Sequence, residues 1–295
     1  MPNSPLVSTV RRRQLGKALR RLRNSAGLTL DGAAEAMGWK GPKLSKIENA
    51  TQSIRPAELS SLLTVYGVSD PEVFTALDSL AKDAGKRGWW QTYSGVLSPA
   101  YTDYISLESD AESIRIYSPG LVPGLLQTAA YARETIAVNA MTRTPEEVTA
   151  LAEVRQARQA VLSRTNRSPL ELWAIIPEAV LHQRFAVRPA IMREQLRRLL
   201  DAAELPNVTV QIMPLNATLH PGTIGGFNLI SFPGPLPDVV QLENLLGSSY
   251  VEDTASVKLH AAAYERILAA ALPPDDSLAL IARMEEGTAR ERTKG

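Results

Sequence analysis

The stretch Gly27–Ala50, "GLTLDGAAEAMGWKGPKLSKIENA", decides the reading of the N-terminal third of the chain. Thr29 is a side-chain cap ahead of a short helix in which Ala33, Ala34 and Met37 share one face. Alanines there allow another helix to cross closely. Gly38 ends that helix, and a second starts near Gly41 and runs to Asn49 with Leu44 and Ile47 turned inward. Pro42 falls in its first turn, where the missing N–H removes no helical hydrogen bond. Helix, glycine, short turn, helix is the helix-turn-helix layout, whose second helix enters the DNA major groove and reaches base edges with its first residues. Three readings fit the stretch: a working DNA reader, a degenerate one, and an ordinary helical hairpin.

The flanking sequence bears on the choice. A helix starting near Val10 carries Leu15, Leu19 and Leu22 as an apolar stripe, with Arg11, Arg12, Arg13, Lys17, Arg20, Arg21 and Arg23 over the rest of its surface, and Gly27 ends it. Residues 1–9, rich in Pro and Ser, are expected to be loose. Beyond the quoted stretch, Ile54–Tyr66 reads as a fourth helix and "DPEVFTALDSLAKDA", capped by Asp70, as a fifth. Residues 10–84 are thus expected to form an all-α, five-helix helix-turn-helix domain. The charge distribution agrees with contact to a polyanion. The 295-residue chain has a formal net charge of +1, but residues 1–56 hold eleven Lys/Arg against three Asp/Glu, leaving the remainder acidic.

The candidate DNA contacts are Arg11, Arg12, Arg13, Lys17 and Arg20 on the first helix, Thr29 at the cap, and Lys40, Gly41, Lys43, Ser45 and Lys46 at the second helix of the motif. Gly41 and Pro42 offer no side-chain donor, and lysine lacks the planar fork of arginine, so backbone attraction is expected to exceed base discrimination. Gly41 also leaves room for backbone to approach a thymine methyl.

Residues 85–100, "GKRGWWQTYSGVLSPA", change character and read as a junction, with Trp89 and Trp90 docking the two parts. Residues 101–288 read as a larger mixed α/β (α+β) domain that senses a partner or ligand. Its expected helices are Tyr101–Ser109, Gly124–Val138, Pro145–Thr165, Pro189–Ala203, Thr254–Ala271 and Pro274–Glu285. Its expected strands are Leu170–Ile176, Val208–Met213, Phe227–Phe232 and Val239–Leu242.

Leu15, Leu19, Leu22, Gly27, Thr29, Ala34, Met37, Gly38, Ser45, Ile47 and Glu48, with the run "LSKIENA", resemble the phage-repressor-like, or xenobiotic-response-element, helix-turn-helix family over about residues 11–68. One position departs: that family often has Gln after the capping Thr, and here it is Leu30. The segments "WWQTYSGVLSPAYTDYISLESDA", "IRIYSPGLVPGLLQTAAYAR", "PNVTVQIMPL", "HPGTIGGFNLISFP" and "LENLLGSSYVED" resemble the C-terminal domain of actinomycete regulators of the WhiJ type. That resemblance implies an antitoxin-like transcriptional regulator, with a small partner protein often encoded beside it.

Within the larger domain the candidate partner or ligand contacts are Trp89, Trp90, Tyr104, Pro123, Gly124, Gln127, His220 and Glu243. Pro123 and Gly124 precede an expected helix start, a place that can receive an anion, although such a loop also simply turns the chain. His220 stands on a glycine-rich turn, and Glu243 and Tyr250 follow a strand. The three histidines lack ligand spacing, no catalytic motif is present, and no cofactor is expected. The absence of cysteine, of a long apolar run and of a signal-type start fits a cytoplasmic protein. The expectation is a homodimeric, non-enzymatic regulator that binds double-stranded DNA through its first domain and a partner protein or small ligand through its second. The alternative is an antitoxin-like interaction protein that sequesters a small partner and uses DNA binding mainly for autoregulation.

Overall fold

The computed structural model describes residues 9–83, 89–139, 142–185, 188–234, 236–244 and 247–292. They divide into two compact units, one reaching Gln91 and including Phe232–Pro237, the other holding Thr92–Ser231 and the chain from Asp238 onward.

The first unit contains α1 (Val10–Ser25), α2 (Leu30–Ala36), α3 (Gly41–Glu48), α4 (Pro56–Val65) and α5 (Pro71–Asp83). Local chemistry fixes its helix ends. Thr9 Oγ1 accepts from Arg12 N at 3.3 Å and Thr29 Oγ1 from Gly32 N at 3.1 Å, each meeting a donor that a helix start leaves unpaired. Gly27 and Gly38, at φ of 70° and 64°, take the left-handed conformation that closes α1 and α2. The core comprises Leu15, Leu19, Ala33, Ala34, Leu44, Ile47, Leu59, Leu62, Leu63 and Leu77, all essentially out of solvent. Leu22 and Met37, expected inside, are only half-buried. The α1–α3 crossing depends on Gly16: a β-carbon there would lie 2.9 Å from Glu48 C and 3.0 Å from Ile47 O, with Glu48 O nearer still. Residues 84–88, where the expected junction begins, lie outside the described set. After them Trp89–Tyr93 form a 3-10 turn in which Trp89 and Trp90 meet edge to face, 5.9 Å between centroids.

The second unit is built on one six-stranded sheet. Its strands are β1 (Ser113–Tyr117), β2 (Glu171–Pro177), β3 (Val208–Met213), β4 (Phe227–Ser231), β5 (Val239–Asn244) and β6 (Gly247–Val251), in the order β3-β2-β1-β4-β5-β6. β1–β2 and β2–β3 are parallel; β1–β4, β4–β5 and β5–β6 are antiparallel. Parallel pairs need long crossovers, and the chain supplies α7 (Ala129–Asn139) and α8 (Pro145–Arg158) between β1 and β2, then α9 (Glu178–Leu181) and α10 (Ala190–Ala203) between β2 and β3. α6 (Pro99–Asp110) precedes the sheet, and α11 (Thr254–Ala270) and α12 (Pro274–Arg292) end the unit. Tyr117, Ile175, Met213, Phe227, Leu229 and Val240 pack with Tyr264 and Ile267 of α11 into one core cluster. Ala132, Ile136, Val148 and Ala152 join α7 to α8.

The mixed class expected from the sequence is the one observed, with two strands added. β1, which has partners on both sides, and β6, whose five residues include two serines, were not expected. The expected helix Gly124–Val138 is interrupted: Gly124–Leu126 form a 3-10 turn, Gln127 returns to extended backbone, and the α-helix begins only at Ala129. The helix expected over Pro145–Thr165 ends at Arg158, with Gln159–Leu162 tightening into a 3-10 turn. No helix among the described residues is long and apolar enough to cross a membrane.

Candidate nucleic-acid interface

α3 has two faces of different chemistry. Leu44, Ile47 and Glu48 point inward and are buried, while Pro42, Ser45, Lys46 and Asn49 recur at the i, i+3, i+4, i+7 spacing of one outward face. Glu48 fixes the helix. Its Oε1 accepts from Arg23 Nε at 2.7 Å and its Oε2 from Arg23 Nη2 at 3.1 Å and Arg20 Nε at 3.2 Å, with the carboxylate fully buried. Arg23 spends its remaining fork on Leu28 O at 2.8 Å, joining α1, the turn before α2, and α3. The hydrogen bond to Glu48 holds the Arg23 guanidinium above its ordinary pKa, against the opposing effect of burial.

The same carboxylate positions a surface cation. Arg20 rests its Nε on Glu48 and its Nη2 on Asn49 Oδ1 at 2.7 Å, and Asn49 Nδ2 donates to Ser45 Oγ at 3.3 Å. About half of the Arg20 side chain faces solvent (49%), so a pre-aimed guanidinium stands beside the outward face of α3. Neither Asn49 nor the linking role of Glu48 was among the expected site residues; in sequence Asn49 reads only as the end of a helix.

The expected contacts separate once the geometry is known. Lys40 and Lys46 are exposed and form no ion pair among the described residues, and Lys17 is also exposed. Ser45 is half-buried on the outward face. Lys43 is engaged: its Nζ lies 2.5 Å from Glu58 Oε1 on α4 and 4.0 Å from the centroid of the Trp39 ring. Arg11 and Arg12, expected on the surface, are buried at 6% and 8% exposure, because the face of α1 that bears them turns inward. Arg13 is half-buried. At Gly41 a β-carbon would sit 2.7 Å from Asp31 Oδ1, the far end of a side chain that can turn away. Thr29 acts as the cap of α2.

In the second unit, the loop at Pro123 and Gly124 leads into a three-residue 3-10 turn and not into an α-helix, so it offers no helix-start anion site. Gln127 is buried and paired at both ends of its amide: Nε2 donates to Val122 O at 2.7 Å and Oε1 accepts from Arg155 Nη1 at 2.9 Å. Near Gly124 lies a buried ion pair missed in the sequence. Arg158 Nε and Nη2 reach Glu108 Oε1 and Oε2 at 2.7 and 2.6 Å, and Nη1 donates to Tyr101 OH at 2.7 Å. The guanidinium lies 4.9 Å from the Tyr104 ring, and burial pushes the Tyr104 phenol well above its ordinary pKa. Each guanidinium nitrogen and each carboxylate oxygen of that pair has a partner inside the protein, which marks Tyr104 as part of a structural cluster. Glu243 is exposed opposite Ser248, two register steps from the Gln241–Tyr250 pair. His220 caps the 3-10 turn Pro221–Ile224, its Nδ1 accepting from Gly222 N at 3.1 Å. No group of three or more His, Asp or Glu among the described residues is arranged to hold a metal ion.

Comparison with known proteins divides the chain in a similar way. Residues 14–75 match the model of a helix-turn-helix domain, and residues 101–283 match the model described as a domain of unknown function, DUF5753. No curated protein and no solved structure matches the chain. With well over half of its length inside the second match, the chain belongs to the DUF5753 domain family and carries a helix-turn-helix domain ahead of it.

Proposed function

We propose that the protein is a DNA-binding transcriptional regulator of the cytoplasm that acts by binding and not by turnover. The observation that carries this reading is the outward face of α3: Lys40, Ser45, Lys46 and Asn49 stand free of the core on a helix whose inner face is clamped to α1, with Arg20 pre-aimed beside them. Lys17, Arg20 and Lys40 would neutralise phosphates, and Ser45, Lys46 and Asn49 would face base edges. A homodimer would place two such helices about 34–36 Å apart, one turn of DNA, and favour a palindromic operator. The second unit is the sensor, taking a partner protein or small ligand in the manner that the resemblance to WhiJ-type, antitoxin-like regulators implies.

The test is binding of the full chain to DNA from upstream of its own coding sequence, against a scrambled duplex, across a salt series. Selective binding that falls steeply with salt, and that is lost in a folded Lys40→Ala, Lys46→Ala protein, supports the reading. Equal binding to both duplexes overturns sequence-selective regulation. One observation favours the interaction-protein reading: Lys43, a prime contact by position, is held by Glu58. Co-purification with a small protein encoded nearby, without selective DNA binding, would favour that alternative.

A further inference from the structure

The second unit holds an open groove of about 500 Å³ between the His220–Ile224 turn and the C-terminal half of α11. Its lining is Thr218, Leu219, His220, Pro221 and Thr223 from the turn, with Arg266, Ala269 and Ala270 from α11. Among the described residues no carboxylate lines it. Arg266 is exposed and, among the described residues, has no ion-pair or hydrogen-bond partner, whereas its neighbour Glu265 is committed to Arg115 at 3.0 Å. His220 accepts a backbone N–H through Nδ1, so in the neutral ring Nε2 carries the proton and is a donor. Arginine, an imidazole N–H and the Thr218 hydroxyl therefore share the groove with apolar surface from Leu219, Pro221 and the two alanines.

The loop that presents this surface is built. Leu215 N donates to Glu178 Oε2 at 3.0 Å, Ala217 N to Pro214 O at 3.1 Å, and Thr223 Oγ1 to His220 O at 3.1 Å. His220 also packs edge to face on Tyr117, 5.7 Å between centroids. A loop held this firmly nevertheless leaves Leu219 91% exposed at the groove. An exposed leucine beside an uncommitted guanidinium suits a molecule with both an apolar body and a negative head, and the volume falls in the usual range of about 300–1,000 Å³ for small-molecule sites.

We infer that this groove is a binding site for a small organic anion, a carboxylate or sulfonate on an apolar body, with Arg266 pairing the head and Leu219 and Pro221 covering the body. The inference deepens the sensor role proposed above but does not depend on DNA binding, which is measured separately. The probe is 8-anilinonaphthalene-1-sulfonate, titrated by fluorescence into the full-length protein and competed with octanoate, octylamine or octanol. The expected result is saturable one-to-one binding, displaced by octanoate and not by octylamine, and weakened about tenfold or more in Arg266→Gln. Leu219→Ser should weaken it as well, whereas Arg197→Gln, on α10, should bind as the parent does. Thermal melts establish that each variant is folded. Non-saturable binding, equal displacement by octylamine, or unchanged affinity in folded Arg266→Gln would overturn the assignment.

Discussion

Gly16→Ala tests whether the α1–α3 crossing is set by backbone contact. Alanine is favoured over glycine inside a helix by about 1 kcal/mol, so the substitution should stabilise an unobstructed helix. At Gly16 the new β-carbon would enter a space bounded by Glu48 C at 2.9 Å and Ile47 O at 3.0 Å, below the 3.4 Å at which ordinary contact begins. These are backbone atoms, so no side chain can rotate away. The helices would have to part by roughly half an ångström or more, loosening Leu44 and Ile47 and stretching the Glu48 clamp. Overpacking costs about 1–3 kcal/mol, and a clash with immovable backbone falls in the upper part of that range, about 2–3 kcal/mol, which outweighs the gain in propensity. A net loss near 1–2 kcal/mol lowers the midpoint of the first unit by about 5–15 °C. Gly287→Ala in α12, where nothing lies within 4 Å of the added carbon, is the matched control and should hold or raise stability. Thermal unfolding followed by circular dichroism reads both. An unchanged or raised midpoint for Gly16→Ala would refute the close-contact argument.

Three further outcomes are expected. Gly41→Ala, by contrast with Gly16→Ala, should stay within about 0.5 kcal/mol of the parent in a melt, because the atom it meets is the movable end of Asp31. The hydrogen bond from Lys43 holds the Glu58 carboxyl below the ordinary glutamate range, with burial opposing it and the Arg55 amide assisting. The pair's stabilisation is therefore present above the ordinary glutamate value and lost as pH falls through the lowered one; in Lys43→Met a carbon-13 carboxyl titration should show Glu58 moving back up. Glu108→Gln, which strands the Arg158 charge at a side-chain exposure of 5%, should cost about 3–5 kcal/mol in urea unfolding, and replacing both partners by methionine should recover much of it.

What could be read in the sequence was what local chemistry determines. Thr29, Gly27 and Gly38 mark helix ends by themselves, and Leu44 and Ile47 declare an inner face by spacing alone. β1 escaped because "SIRIY" is five residues long with an exposed arginine at its centre, and its partners lie far along the chain in β2 and β4. β6 offers two serines and a glycine, a composition that reads as loop. The break at Gln127 depends on a buried amide bonded to Val122 and Arg155, a tertiary fact with no periodic signature. In the candidate interface the charges were visible, but their allegiance was not. Only the packed structure shows that Arg11 and Arg12 turn inward, that Glu58 holds Lys43, and that Asn49 aims Arg20.

The division of α3 into a clamped side and an open side has a consequence for how such a protein can diversify. Leu44, Ile47 and Glu48 cannot change without loosening the domain, while Lys40, Pro42 and Lys46 touch little of it. Surface positions of that kind are free to drift through many side chains at almost no cost in stability. An eight-residue helix can therefore acquire new targets by substitution at three or four points, keeping one scaffold for many addresses.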